Sequence, residues 1–435
     1  MNKKLLSDIH QIALGLLPVA LCVWYYQTLV SNAIEKIYFT YSDGLLFASD
    51  ALALLAVLAW LISSPNLYTL RVFGKASWEP KLGFALCLLS TLSTFWSIDW
   101  RISLFFSLHL WLVFGLFLSV RDRPESWRAV AIGCCAALAL QIGIGFWQFG
   151  AQTTAFLAPL GMNWPGQLDP SIRGASVVEL ADGARWLRVY GTLPHPNLLG
   201  GFTLMFLGGP AALFFLSEKR RPWALALLAG GAALLILTFS RSAWVGLAAA
   251  GVVLTFHHRK FPRMRLFVAG LAVLTGLLAA ALPLYRLIFT RAGAGSVATE
   301  EFSNAGRVWL TEQAVQIIKD HPVLGVGAGT FILEYARHAP YGYLIEPVHN
   351  LPLLVVAELG LAGALIGIGL GLLIVRSALR ATRPESVLFS ALLVGLLVTS
   401  FFDHYLWTLA PGRMLLGLAL GLWAAQVKQE QQADS

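Results

Sequence analysis

Apolar residues in this chain form long runs that are separated by short polar segments. The runs cover 11–31, 44–64, 82–97, 101–120, 128–150, 196–216, 222–239, 243–256, 266–290, 350–375, 386–402 and 411–427. A straight transmembrane helix needs about 20 apolar residues, so several of these runs are short and their ends are approximate. The pattern predicts an all-α polytopic membrane protein with about twelve transmembrane helices in a single membrane domain, residues 1–435.

The composition supports this fold class. Hydrophobic residues make up 57% of the chain and charged residues 12%, whereas soluble domains carry about 25% charged residues. The first residues resemble a signal peptide, but no small-residue cleavage site follows them, so we expect a retained first helix. The four cysteines, Cys22, Cys87, Cys134 and Cys135, all lie inside apolar runs, where we expect them to be small core residues.

Lys and Arg gather in short segments on one side of the predicted spans. These clusters are Lys3/Lys4, Arg71/Lys75/Lys81, Arg121/Arg123/Arg128, Lys219/Arg220/Arg221, Arg259/Lys260/Arg263/Arg265, Arg376/Arg380/Arg383 and Lys428. The positive-inside rule places that side, with both chain ends, in the cytoplasm. The net charge of +8 is then a topology signal, and we expect no nucleic-acid partner. Two long segments, 151–195 and 291–349, and the turn around Arg241 should be extracytoplasmic.

The tripeptide Ser240-Arg241-Ser242 puts a permanent positive charge between two apolar runs. A charge near hydrocarbon costs roughly 2.5–3.5 kcal/mol on insertion scales, so Arg241 needs compensation. An anionic ligand is one candidate. An acidic loop residue or contact with lipid headgroups is the alternative.

Two further candidates, Arg307 and His349, are predicted at extracytoplasmic helix N-termini. Arg307 precedes a stretch with helical spacing, so a helix is expected near 306–320, capped by Ser303 or Asn304. His349 precedes the tenth run, which Asn350 can cap. Helix N-termini favour anions, and arginine adds a bidentate grip on phosphate. We therefore expect Arg241, Arg307 and His349 to converge on one phosphate-bearing ligand, although each alone could be a solvated or interfacial residue.

Other residues are weaker candidates. Arg188 is a candidate third contact for phosphate or sugar, and Ser240, Ser242 and His195 could support the site. We interpret the stretch 194–197 mainly as the cap of the sixth span, with Asn197 as its N-cap, and the turn 403–405 as mainly structural. No group of His, Cys, Asp and Glu has metal-ligand spacing, so we expect no metal and no cofactor.

The histidine segment resembles a known family. His349-Asn350 is followed by nine residues and then Gly360-Leu-Ala-Gly363, which is similar to the signature of bacterial O-antigen ligases. The Ser240-Arg241-Ser242 turn, Gly306-Arg307 with Trp309, and the glycines Gly325 and Gly327 after Pro322 also resemble that family. About fifteen positions carry the resemblance, spread over most of the chain.

The resemblance implies a glycosyltransferase of the bacterial inner membrane. Such enzymes move polysaccharide from undecaprenyl pyrophosphate to a sugar hydroxyl of lipid A–core at the periplasmic face. The family is understood as metal-independent and inverting, on a GT-C-like scaffold. On this view His349 is the general base and Arg241, Arg307 and Arg188 bind the pyrophosphate, with Asn350, Ser240, Ser242 and His195 as possible support.

Three alternatives remain open from the sequence. O-antigen polymerases and protein O-oligosaccharyltransferases belong to the same superfamily and share the arginines and the histidine. A flippase for a lipid-linked sugar is a rival of a different class, but it predicts charges deep within several spans, which are scarce here.

Overall fold

The computed structural model describes residues 3–31, 39–64, 77–155, 167–217, 221–291, 297–339 and 345–433. Its helices are α1 Lys3–Ala20, α2 Phe39–Ser42, α3 Ala48–Ser63, α4 Glu79–Ser93, α5 Trp100–Arg121, α6 Trp127–Ala151, α7 Pro196–Phe215, α8 Trp223–Leu237, α9 Arg241–Phe256, α10 Arg263–Ala281, α11 Tyr285–Arg291, α12 Ala298–Asp320, α13 Phe331–His338, α14 Leu351–Arg380, α15 Pro384–Ser400, α16 Tyr405–Thr408 and α17 Ala410–Ala433. Two antiparallel ribbons pair β1 Tyr26–Val30 with β2 Gly44–Phe47, and β3 Val177–Glu179 with β4 Arg185–Leu187. Parts of the two long segments, 156–166, 292–296 and 340–344, and the basic residues Arg71, Lys75, Lys219 and Arg220 lie outside these ranges.

Long apolar helices dominate the described part of the chain. Five of them can cross a membrane by length and composition: Trp100–Arg121, Pro124–Ala151, Pro196–Phe215, Arg263–Ala281 and Leu351–Arg380. Helices α3, α8, α9 and α15 are apolar but shorter. The protein is therefore an α-helical membrane protein.

Helix α7 is the centre of the bundle, and α10 lies at its edge. In the most apolar stretch of each helix, 94% of the residues are buried in α7 and 17% in α10. Small residues let neighbours approach α7 closely. A Cβ on Gly209 would lie 2.6 Å from the carbonyl oxygen of Ala131 in α6, so only glycine fits at this crossing. The polar N-terminal end of α7 is thereby fixed in the middle of the bundle.

The first predicted span, 11–31, is wrong as a single helix. Helix α1 begins at Lys3 and ends at Ala20, and the chain then forms β1, which pairs with β2. The physical reason is local composition, because Trp24, Tyr25, Tyr26 and Thr28 are aromatic or β-branched residues that favour strands. The predicted span 44–64 also begins later than expected, because residues 44–47 form β2 and the helix starts at Ala48.

The helix expected near 306–320 begins earlier, at Ala298, with Val297 in extended conformation before it. Glu300 and Glu301 lie in its first turn, where carboxylates favour a helix start. Arg307 therefore lies inside α12 and not at its N-terminus. Ser303 and Asn304 do not cap it. The helix ends at Asp320, just before His321 and Pro322.

Helix α14 starts as expected and breaks at one glycine. The Asn350 side chain accepts a hydrogen bond of 2.9 Å from the backbone N–H of Leu353, as an N-cap does. Gly360 interrupts the helix with φ +62°, and a Cβ there would lie 2.1 Å from the carbonyl oxygen of Val323. The first glycine of the sequence signature, Gly360, is thus the point where the segment that follows α12 packs against α14.

Candidate active site

Three arginines and two asparagines surround a cavity at the end of the bundle where α7, α9 and α14 begin. The cavity has a volume of about 270 Å³ and is lined by Asn197, Arg241, Ser242, Val245, Arg291, Asn304, Arg307 and Phe402. Among the described residues, its lining includes three cationic side chains and no carboxylate. The cavity is therefore suited to an anion.

Arg241 enters this cavity from the tight turn between α8 and α9. The turn reverses the chain within three residues, 238–240, and Phe239 has a positive φ of 48°. Arg241 is the first residue of α9, as the sequence predicted, and Ser240 precedes it in extended conformation. The Ser240 hydroxyl makes no capping bond to the helix and lies 3.1 Å from the Ser242 hydroxyl. Ser242 lines the cavity, so the turn contributes both a cation and a hydroxyl to it.

The contacts of the Arg241 guanidinium with the described residues are all long. Its nitrogens lie 3.3 Å from the carbonyl oxygen of Arg291, 3.4 Å from the Asn304 amide oxygen and 3.7 Å from Glu300. The side chain is 30% exposed. These contacts are weak by hydrogen-bond criteria, so the guanidinium can rearrange onto a stronger acceptor.

Arg291 and Glu300 form a buried ion pair beside Arg241. Arg291 also donates from Nε to the carbonyl oxygen of Phe239 at 3.2 Å. One oxygen of Glu300, Oε2, is buried and makes no hydrogen bond to the described residues. The pair fixes the end of α11 to the start of α12. It also leaves Arg291 less available for a ligand than Arg241.

Arg307 has the fewest contacts with described residues of the three arginines. Its guanidinium makes no hydrogen bond or ion pair to any described residue, yet it lines the cavity from α12. Burial is the main cause that lowers the pKa of Arg307, and the opposing effect of Asp403 does not outweigh it. An anion placed here would accept the hydrogen bonds that the guanidinium does not make to the described residues.

Arg188 has a different setting from the expected contact with phosphate or sugar. It is 4% exposed and donates to the Thr238 carbonyl oxygen at 2.8 Å, the Ser176 hydroxyl at 3.1 Å and the Asn197 amide oxygen at 2.6 Å. Burial, and next the charge of Arg291, lower its pKa. Arg188 lies behind the cavity and ties the 167–195 segment to the Arg241 turn and to α7.

A histidine–carboxylate pair lies next to the arginines. The Nδ1 of His349 is 3.9 Å from Oδ1 of Asp403, and its Nε2 is 3.7 Å from Glu346. The buried Nδ1 has no hydrogen-bond partner among the described residues. Asp403 Oδ2 accepts a bond of 2.9 Å from the Asn197 side chain, which also lines the cavity. Asn197 therefore connects the histidine site with the arginine site.

His404 completes a cluster with His349 and Asp403. The two imidazole rings are 5.0 Å apart, and His404 Nδ1 lies 2.8 Å from the Thr408 hydroxyl. Burial would raise the pKa of Asp403, but the nearby His349, His404 and His195 lower it below its usual range. Burial, and next His349, lower the pKa of His404 to about 4. The cluster therefore holds a carboxylate and a neutral imidazole at neutral pH.

The start of α7 differs from the expected cap. His195 is the N-cap, because its Nδ1 accepts a bond of 3.1 Å from the backbone N–H of Asn197. Asn197 was predicted for this position, but its side chain bridges Arg188 and Asp403 instead. Proline at the first helical position explains the shift, because Pro196 is already in helical conformation. His195 is thus a cap close to the site.

The structure brings together Arg241, Arg307 and His349, which the sequence singled out, and adds residues that sequence reasoning missed. Arg291 and Glu300 flank a stretch with no recognisable pattern. Asp403 and His404 were interpreted as structural, and only their position in an outer turn pointed to them. Asn197 was noticed only as a cap.

A comparison with family models covers the part of the chain that carries most of this site. Residues 223–368 match a family described as O-antigen ligase. Over this segment the chain is similar to that family. No curated protein matches the chain.

The O-antigen ligase segment includes Arg241, Arg291, Arg307, His349 and the Gly360 break. Asn197 and Asp403 lie outside it, on α7 and in the turn before α16. Their hydrogen bond joins elements on either side of the matched segment. The site thus consists of a family core with a carboxylate and an amide supplied from the flanking helices.

Proposed function

We propose that this protein is an O-antigen ligase that transfers a polysaccharide from undecaprenyl pyrophosphate to a sugar hydroxyl of lipid A–core. The transfer would be metal-independent and would invert the anomeric centre. The observation that carries the proposal is the convergence of three arginines on one cavity beside the His349–Asp403 pair. The reaction requires both parts, because a pyrophosphate must leave and an acceptor hydroxyl must lose its proton.

Arg241 and Arg307 bind the leaving pyrophosphate in this mechanism. Both have guanidinium donors that are weakly used or unused by the protein. Positive groups that are already in place where negative charge develops stabilise a transition state without reorganisation, and one such donor is typically worth about 10²–10³ in rate. Arg291, which is neutralised by Glu300, supports the site and holds Arg241.

His349 removes the proton from the acceptor hydroxyl. Histidine is the side chain whose ordinary titration range suits a general base at neutral pH. The carboxylates of Asp403 and Glu346, 3.9 and 3.7 Å away, would stabilise the imidazolium that forms. Asn197 holds Asp403 in place from α7. Such a base contributes typically about 10²–10⁴-fold.

The proposed setting follows from the loop charges. The protein would lie in the bacterial inner membrane with about twelve spans on a GT-C-like scaffold and both ends in the cytoplasm. The segments 151–195 and 291–349, and with them the site, would face the periplasm. Membrane lipid would surround the apolar helices, and the polyprenyl tail of the donor would lie against them.

The test uses purified protein with a lipid-linked saccharide donor and lipid A–core acceptor in excess EDTA. Wild type and an exposed control, His338→Gln, should form saccharide-linked lipid A–core, whereas His349→Gln should lose the reaction by about 10²-fold or more. Wild-type turnover in His349→Gln contradicts the base assignment. Loss of turnover in EDTA contradicts the metal-independent mechanism.

The same reaction mixture separates the nearest alternatives. Longer chains on the carrier, with no product on lipid A–core, would identify a polymerase. Product on an added acceptor protein would identify a protein O-oligosaccharyltransferase. A flippase makes no new glycosidic bond in detergent, so any glycan product excludes it.

A further inference from the structure

We propose that His349, Asp403 and His404 form a binding site for a divalent cation of the Zn²⁺ class, and that the bound cation blocks the base. The binding site is independent of the proposed function, whereas the block rests on it. The three residues come from two turns that are 54 positions apart, 349 and 403–404, so no spacing motif reveals them.

The ligand atoms are already close together. One atom from each residue lies within 4.8 Å of the others, and His349 Nδ1 is 3.9 Å from Asp403 Oδ1. Zinc binds nitrogen and oxygen at about 2.0–2.2 Å, which puts tetrahedral ligands about 3.3–3.6 Å apart. The cluster therefore needs to contract by at most about 1.5 Å. The buried Nδ1 of His349, without a hydrogen-bond partner among the described residues, supplies a lone pair for this purpose.

Surrounding contacts orient the ligands as they do in metal sites. The Asn197 side chain donates to Asp403 Oδ2 at 2.9 Å. His404 Nδ1 lies 2.8 Å from the Thr408 hydroxyl, so Nε2 is the ring nitrogen that would bind the metal. Outer contacts of this type fix the tautomer of a ligating histidine and the position of a ligating carboxylate.

The donor set selects the kind of metal. Two imidazoles and one carboxylate suit Zn²⁺, Co²⁺ and Ni²⁺, whereas Mg²⁺ and Ca²⁺ prefer sites built from oxygens. The positive charge of Arg307 opposes any added cation, so moderate and reversible binding is expected.

A bound metal would stop the base by ordinary coordination chemistry. An imidazole that gives the Nδ1 lone pair to a metal keeps its remaining proton on Nε2 and cannot accept a second one. Zn²⁺ would therefore inhibit a reaction that needs no metal. Removal of the ion would restore it, because no covalent bond changes.

The direct test is titration of tag-free purified protein with Co²⁺, followed by its visible absorption, and displacement by Zn²⁺. Wild type and an exposed control, His258→Gln, should bind one ion per chain. His349→Gln and His404→Gln should each bind at least about tenfold more weakly. Equal affinity in wild type and both variants overturns the site, and two variants guard against a folding defect in one.

A second measurement tests the block. Zn²⁺ at saturating concentration should inhibit glycan transfer by wild type and by His258→Gln, and a chelator should reverse the inhibition. Full transfer in the presence of saturating, bound Zn²⁺ overturns the block. Metal binding without any transfer in metal-free protein supports the site and contradicts the proposed function, so the two failures are distinguishable.

Discussion

Arg188 and Arg307 lie at the same end of the bundle, and they differ in the number of hydrogen-bond acceptors around the guanidinium. Arg188 has three acceptors, Ser176 in its own segment, Thr238 in the turn before α9 and Asn197 in α7, and its side chain is almost completely buried. Helix α12 gives Arg307 no acceptor among the described residues, although it lines the cavity. A guanidinium has five N–H donors, and each donor without an acceptor in the protein can donate to a ligand. The comparison separates an arginine that holds the protein together from one that is ready to bind.

The largest effect is expected for Arg307→Gln. Glycan transfer should fall by about 10²–10³-fold, because the variant lacks the charge for the leaving group. The thermal midpoint in detergent should stay close to wild type, since the guanidinium makes no hydrogen bond or ion pair to the described residues. Arg337→Gln, an exposed arginine on α13, serves as the control and should keep activity. A large drop in the thermal midpoint of Arg307→Gln would show that Arg307 is structural like Arg188.

Arg188→Met should produce the opposite pattern. The buried carbonyl of Thr238 and the amide of Asn197 would lose their donor, which costs about 1–3 kcal/mol for each unsatisfied group. We expect a clearly lower thermal midpoint or a loss of folded protein, measured by fluorescence-detected size-exclusion chromatography after heating. Arg173→Met, an exposed arginine of the same segment, should be neutral. Normal stability with lost transfer would place Arg188 in the binding site.

Asn197→Leu should affect both properties to a moderate extent. This side chain accepts from Arg188 and donates to Asp403, so it links the structural arginine to the site. We expect a loss of about 1–2 kcal/mol in stability and about tenfold in turnover. The thermal midpoint and the turnover number measured on the same preparation test this. An effect on only one of them would mean that the two regions are not coupled through Asn197.

The smallest effect is expected for Asn304→Ala. The contact from Arg241 to Asn304 is 3.4 Å long and lies at the surface of the cavity, so its loss should cost less than about 0.5 kcal/mol. Turnover and the Michaelis constant for the donor should remain within about twofold of wild type. A larger increase in the Michaelis constant would indicate that Asn304 itself contacts the donor.

The sequence predicted the helical parts of the fold well, because apolar runs report burial in lipid directly. Each predicted apolar run overlaps a helix among the described residues, and Asn350 caps α14 as expected. Errors occurred where local composition competes with hydrophobicity. Residues 26–30 are apolar enough for a span, but they form a strand with 44–47.

The candidate site was predictable only in part. Arg241 and His349 could be found because each lies next to a helix start that the sequence marks. Arg307 was found, but its position in the helix was wrong, because the acidic first turn at Glu300 extends α12. Asp403 could not be assigned, since its role depends on a contact with Asn197 that is 206 positions away. Contacts of this kind follow from the packing of α7 and are absent from any local pattern.

The break at Gly360 divides α14 into a short first part and a longer second part. The carbonyls of Ala357 and Glu358 lie between His349 and this break. They accept hydrogen bonds of 3.0 and 2.9 Å from the backbone N–H groups of Val326 and Gly327. The segment that follows α12 is thus fastened to the short first part of α14. His349, the proposed base, and Arg307 therefore lie on segments that are joined to each other by backbone hydrogen bonds. If these joined segments shift when a substrate enters, the two groups will move together and their spacing will be preserved.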